Sequence, residues 1–151
     1  MPFVDTNLNK RMSDLVFHEF DPASGYAREC INVTPPAAGA PVLIGTVVFR
    51  AKSTNPYAAY AVLTGNAALV DTNEFAVVFG SGYGFDPSFV PFAVQANTFN
   101  AVSFKRGPVQ LKEYFIKQVA QDAAGANLTD AQFETLRELL KRQDVIVEVT
   151  V

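Results

Sequence analysis

Apolar residues along most of this chain fall in short alternating or continuous runs, broken by glycine and proline, which is the signature of strands. From Arg28 to Val33, Ile31 and Val33 alternate with polar neighbours. The following Pro35-Pro36-Ala37-Ala38-Gly39 cannot continue a ladder, so a strand and then a loop are predicted. Val42 to Phe49 is a continuous run rich in β-branched residues, suited to a strand covered on both faces, and Gly45 inside it marks a bulge or a close backbone approach. A second buried run, Phe75 to Phe79, ends at Gly80-Ser81-Gly82-Tyr83-Gly84, where glycine lets the chain turn. Between Ala101 and Arg106, Val102 and Phe104 point to one side and Ser103 and Lys105 to the other, until Gly107-Pro108 breaks the strand.

The only convincing helix begins at Thr129. Its hydroxyl can cap the free amides while Gln132 closes a capping box, and Phe133, Leu136, Leu139 and Leu140 then share one face. This predicts an amphipathic helix from about Asp130 to Arg142, packed on a sheet. Val145 to Val149 follows as a closing strand. Residues Met1 to Ser13 show neither period, with Phe3, Val4, Leu8 and Met12 as scattered apolar points, and read either as an extended arm or as a frayed terminus. The expected organisation is an arm over residues 1–13 and one β-rich domain over 14–151, of α+β class and mainly β.

Composition narrows the classes. A chain of 151 residues with 49% apolar and 18% charged residues is that of a globular domain. Twelve basic residues against fifteen acidic ones, with no long block of either sign, make nucleic acid an unexpected partner. No apolar run approaches the roughly 18 residues needed to cross a bilayer, and no signal peptide is evident, so a cytoplasmic protein without membrane contact is expected. The single cysteine, Cys30, cannot form an intrachain disulfide. Between Lys52 and Lys105 the only formal charges are Asp71, Glu74 and Asp86, and eight of the eighteen aromatic residues lie between Phe75 and Phe104. Part of that stretch, with Phe85, Phe89 and Phe92 around two prolines, is expected to lie against either the core or a partner.

Catalytic chemistry finds little material. His18 is the only histidine, and pairing it with Cys30 would still lack an orienting group. Gly80-x-Gly82-x-Gly84 follows a strand but is not followed by the helix whose N-terminus would hold a phosphate. Asp71-Thr72-Asn73-Glu74 lacks the spacing of a calcium loop and reads as a polar turn. Asn32-Val33-Thr34 and Asn127-Leu128-Thr129 match glycosylation acceptors, which a chain without a secretory signal would not use. No catalytic residue, metal site or cofactor is expected.

Taken in order, Tyr26-Ala27-Arg28-Glu29 opening a strand, Leu43-Ile44-Gly45-Thr46-Val47-Val48, Val102-Ser103-Phe104-Lys105-Arg106-Gly107, the capped helix and the valine-rich ending resemble the head decoration proteins of tailed bacteriophages, of the lambda type. The family has an aromatic-Ser-Arg-Glu start, a Leu-x-x-Gly-Thr-Val-Leu strand, a Val-x-Arg-Gly segment, and then a helix and a closing strand. The match covers about two-thirds of the chain. Ala27 and Asp144 stand where the family has a typical serine and glycine, and residues 52–100 are longer and more aromatic. The resemblance implies a β-tulip-like domain that forms a homotrimer on the outer face of a phage head. Its arm, through Phe3, Val4, Leu8 and Arg11, would bind the major capsid protein, and Phe85, Phe89 and Phe92 would be candidate subunit or partner contacts. A competing reading is a virion or cell-surface module that holds a carbohydrate or receptor through the aromatic 75–104 region. A hydrolase built on His18 comes third.

Overall fold

The computed structural model describes residues 15–24, 26–35, 42, 44–81, 98–122 and 128–149. Eight strands and two α-helices occur among them: β1 (Val16–Glu19), β2 (Arg28–Thr34), β3 (Val47–Ala51), β4 (Tyr60–Val62), β5 (Asn73–Ser81), β6 (Phe99–Phe104), β7 (Val109–Lys112), α1 (Glu113–Asp122), α2 (Asp130–Lys141) and β8 (Val145–Glu148). Five strands close into a barrel in the order β2-β4-β3-β5-β6, and the other three form a small sheet, β1-β7-β8. The expectation of a mainly β, α+β domain with an amphipathic C-terminal helix is met.

Strand alternation divides the core in two, because successive side chains leave a strand on opposite faces. One set fills the barrel: Ile31 and Val33 of β2, Val48 of β3, Tyr60 and Val62 of β4, Ala76 and Val78 of β5, and Phe99 and Ala101 of β6. The intervening residues Val47, Phe75, Val77, Phe79 and Phe104 line the barrel's outer wall. There they meet Leu111 of β7, Phe115 and Ile116 of α1, Phe133, Leu136, Leu139 and Leu140 of α2, and Val145 and Val147 of β8. The side of β6 that carries Ser103 is therefore the barrel interior, and Ser103 is fully buried.

Helix α2 begins as its sequence predicts. The Thr129 hydroxyl accepts from the Gln132 amide at 3.3 Å while the Gln132 side chain accepts from the Thr129 amide at 2.9 Å. Three features differ from the sequence reading. The run Val42–Phe49 is not one strand: Gly45 sits at φ 91 in a turn, its amide bonds the Val78 carbonyl at 2.8 Å, and β3 starts only at Val47. Helix α1, unexpected from sequence, follows β7 without a break, so no capping or turn residue announces it. Strands β1, β4 and β7 were likewise not foreseen, being only three or four residues long.

Past the Val77–Phe104 pair, β5 and β6 are no longer paired to each other, and Gln143 takes over their backbone groups. Its Oε1 accepts from the Phe75 amide at 2.9 Å, and its Nε2 donates to the Phe75 and Lys105 carbonyls, both at 2.7 Å. Backbone polar groups left unpaired away from water cost roughly 1–3 kcal/mol each. Replacing Gln143 by alanine is thus expected to lower stability by about 2–3 kcal/mol in chemical denaturation and to speed hydrogen exchange at the Phe75 amide. An exchange rate equal to wild type would show that this amide is not carried by Gln143.

Candidate functional site

One cluster of buried polar groups among the described residues lies at one end of the barrel. The face of β3 that places Val48 inward places Arg50 there too, and by the same alternation β5 contributes Glu74, β6 leads to Lys105, and β2 contributes Glu29. Arg50 is 7% exposed. Its Nε donates to Glu74 Oε1, and its Nη1 donates to the carbonyl of Ala58 at 2.6 Å and, at 3.4 Å each, to those of Asn55 and Pro56. The guanidinium stacks 4.5 Å from the centre of the Tyr60 ring. Lys105 Nζ lies 3.7 Å from Glu29 and 3.8 Å from Glu74, so two cations face two carboxylates with no net charge. Ser103 Oγ donates to the Glu29 carbonyl at 3.2 Å.

Tyr60 is 1% exposed, and burial, followed by the adjacent Glu74 carboxylate, pushes its phenol well above the ordinary value of 10. The sign of the pH effect follows: above pH 10 the unfolded chain releases this proton while the folded chain keeps it, so stability falls as pH rises. Tyr60→Phe is expected to leave the midpoint of thermal unfolding near that of wild type at pH 7 and to lessen its decline between pH 10 and 11.5. Parallel curves for the two proteins would refute the assignment to Tyr60.

Chemically, this end of the barrel is a neutral, internally matched ion network that fastens the loop carrying Asn55 to Ala58. Such a network positions backbone. It presents neither a nucleophile beside a base nor a convergent set of oxygen or nitrogen ligands, and no group of three His, Cys, Asp or Glu suited to a metal ion occurs among the described residues.

His18 lies exposed on β1, opposite Gln110 of β7, and Cys30 lies exposed on barrel strand β2, opposite Val102 of β6. No hydrogen bond joins them. Asp71 and Thr72 form a turn, while Asn73 and Glu74 already belong to β5 and Glu74 is spent on Arg50. Gly80 stands at a register shift of β5, and Gly82 and Gly84 fall outside the described residues. Of the eight aromatic residues between Phe75 and Phe104, Phe75, Phe79, Phe99 and Phe104 are buried in the core. Phe85, Phe89 and Phe92, like the arm residues Phe3, Val4, Leu8 and Arg11, lie outside the described residues.

Sequence reasoning passed over Arg50, Tyr60 and Gln143. The signal for Arg50 was its parity with Val48 at the end of a buried strand, and for Glu74 its parity with Ala76. Elsewhere, the Arg28 guanidinium grips Glu19 with two bonds of 2.9 and 2.8 Å, tying β2 to the end of β1. No helix among the described residues is long and apolar enough to cross a membrane. Comparison with protein-family models, curated proteins and solved structures finds no match to this chain.

Proposed function

We propose that this chain is a structural virion protein that binds the outer surface of a bacteriophage head and stabilises it by bridging major capsid protein subunits, as a trimer at local threefold positions. The observation that carries this reading concerns three positions where the resembling family has glycine. Gly45 adopts φ 91, a conformation that side chains resist. A Cβ on Gly107 would lie 1.7 Å from the Asp144 carbonyl oxygen. Asp144 itself stands at φ 60, in the left-handed region that glycine favours and aspartate tolerates. This demand for glycine-like backbone at the three positions is the support we offer for the resemblance.

Such a protein works by binding energy alone: whatever binds the assembled shell and not its separated parts makes separation costlier. The terminal arm supplies contacts outside the domain, and three linked copies gain avidity. The alternative of a carbohydrate-binding aromatic surface loses the support of Phe75, Phe79, Phe99 and Phe104, which are spent on the core.

The test uses undecorated phage heads. Wild-type protein is expected to bind them at saturable occupancy and to raise the temperature at which they break open, and removal of residues 1–13 is expected to weaken attachment while leaving the circular dichroism of the domain unchanged. Equal occupancy by the truncated protein would refute the role of the arm, and absence of wild-type binding to any head would sink the reading.

A further inference from the structure

From Ser53 to Val70 the chain runs eighteen residues without a charged side chain, although twelve of them are exposed. Protein surfaces ordinarily carry charges at roughly a quarter to a third of positions, so three or four would be expected among twelve. Loss of charge together with an exposed tyrosine is the compositional mark of the centre of a protein interface. Tyr57, 79% exposed, is the most exposed large apolar side chain among the described residues.

The chain also holds this tyrosine on a fixed support. Arg50 ties down three carbonyls around it. The Asn55 amide donates to Ser53 Oγ at 3.1 Å, the Tyr57 amide donates to Asn55 Oδ1 at 3.0 Å, and Asn32 Nδ2 of β2 donates to the Tyr57 carbonyl at 3.3 Å. A preorganised loop loses little entropy on binding, so its aromatic side chain gives more net affinity than one on a loose segment. The parallel pairing of β2 with β4 sets Thr34 opposite Ala61 and extends the same uncharged surface through Asn32 and Thr34 to Thr98, whose hydroxyl lies 3.2 Å from that of Thr34.

We propose that this surface, centred on Tyr57, is where a second copy of the chain packs. The chain carries a net charge of −3, so like copies repel wherever their acidic residues approach; an uncharged face is where two of them can meet without that cost. A sugar fits less well, because Ser53 Oγ, Asn55 Oδ1 and Asn32 Nδ2, three of the polar groups that could recognise it, are already used to hold the loop. The inference deepens the reading of a trimeric decoration protein by assigning a surface to the contact between its copies, and it rests on that reading only for the number of copies.

The experiment is sedimentation equilibrium of the full chain over a hundredfold range of concentration, with wild type, Tyr57→Ala and Tyr57→Phe. Wild type is expected to self-associate, Tyr57→Ala to do so at least tenfold more weakly with an unchanged melting temperature, and Tyr57→Phe to stay within threefold of wild type. The thiol of Cys30, exposed on the same outward row of β2 as Asn32 and Thr34, gives a second reading: its alkylation is expected to slow as wild type associates and to stay fast in Tyr57→Ala. A wild type that remains monomeric, or a Tyr57→Ala variant that associates as strongly, overturns the assignment. Head binding is measured separately. A monomer that still coats heads would sink the self-contact alone, and an oligomer that ignores every head would sink only the decoration reading.

Discussion

Gly107→Ala is expected to abolish stable folding, with a loss of more than about 4 kcal/mol and recovery mainly as aggregate. The added Cβ would lie 1.7 Å from the carbonyl oxygen of Asp144, 2.5 Å from its carbonyl carbon and 2.8 Å from the amide nitrogen of Val109. All three are backbone atoms, so no side chain can swing aside to make room. Relief requires the turn at residues 142–144 to move. That motion would break the bonds from the Gly107 amide to the Gln143 carbonyl at 3.0 Å and from the Val109 amide to the Asp144 carbonyl at 3.3 Å. It would also withdraw the Gln143 side chain from β5 and β6. Gly65→Ala is the matched control, since a Cβ there meets nothing within 4 Å and the backbone is extended, and it is expected to change stability by no more than about 0.5 kcal/mol. Thermal unfolding of the two variants side by side decides the matter. A Gly107→Ala protein melting within a few degrees of wild type would mean that the turn yields cheaply.

Arg50→Ala comes second, with an expected loss of about 3 kcal/mol, because removing one member of a buried pair leaves the other charge without compensation. Two costs combine. Glu74, only 18% exposed, would lose its hydrogen-bonded cation and keep the more distant Lys105, and the carbonyls of Asn55, Pro56 and Ala58 would lose their donor. Adding Glu74→Gln to Arg50→Ala is expected to restore part of the loss, since the uncompensated charge is then gone, while faster hydrogen exchange in residues 55–59 persists. Strict additivity of the two changes in a double-mutant cycle would show that the pair is not coupled. The same Arg50 variant bears on self-association, because it loosens the support of Tyr57 without touching the tyrosine.

Much of the fold was open to local reading. The Thr129–Gln132 capping box, the apolar face of α2, the strand from Arg28 and the valine-rich ending are each fixed by interactions between residues within a few positions of one another, so their patterns survive in one dimension. Gly45 was legible as an irregularity but not as the end of an element, since composition does not tell a bulged strand from a turn preceding a shorter one. Helix α1 escaped because β7 runs into it directly, without the cap or breaker that usually separates two periods. The candidate site was scarcely legible: Arg50, Glu74 and Lys105 are far apart in sequence, and each looks like an ordinary surface charge at the end of a strand.

What the sequence determined by itself is therefore the fold class and the position of the amphipathic helix. Only the tertiary structure decided that β2 lies beside β4 in parallel and beside β6 in antiparallel pairing, and so that the strands close on themselves. Closure gives every strand an inside as well as an outside. It turns the polar side of β6 into a buried wall, brings two cations onto two carboxylates at the barrel end, and leaves Tyr57 standing on an uncharged surface. These are consequences of pairing between distant segments, which the alternation within any one strand does not specify.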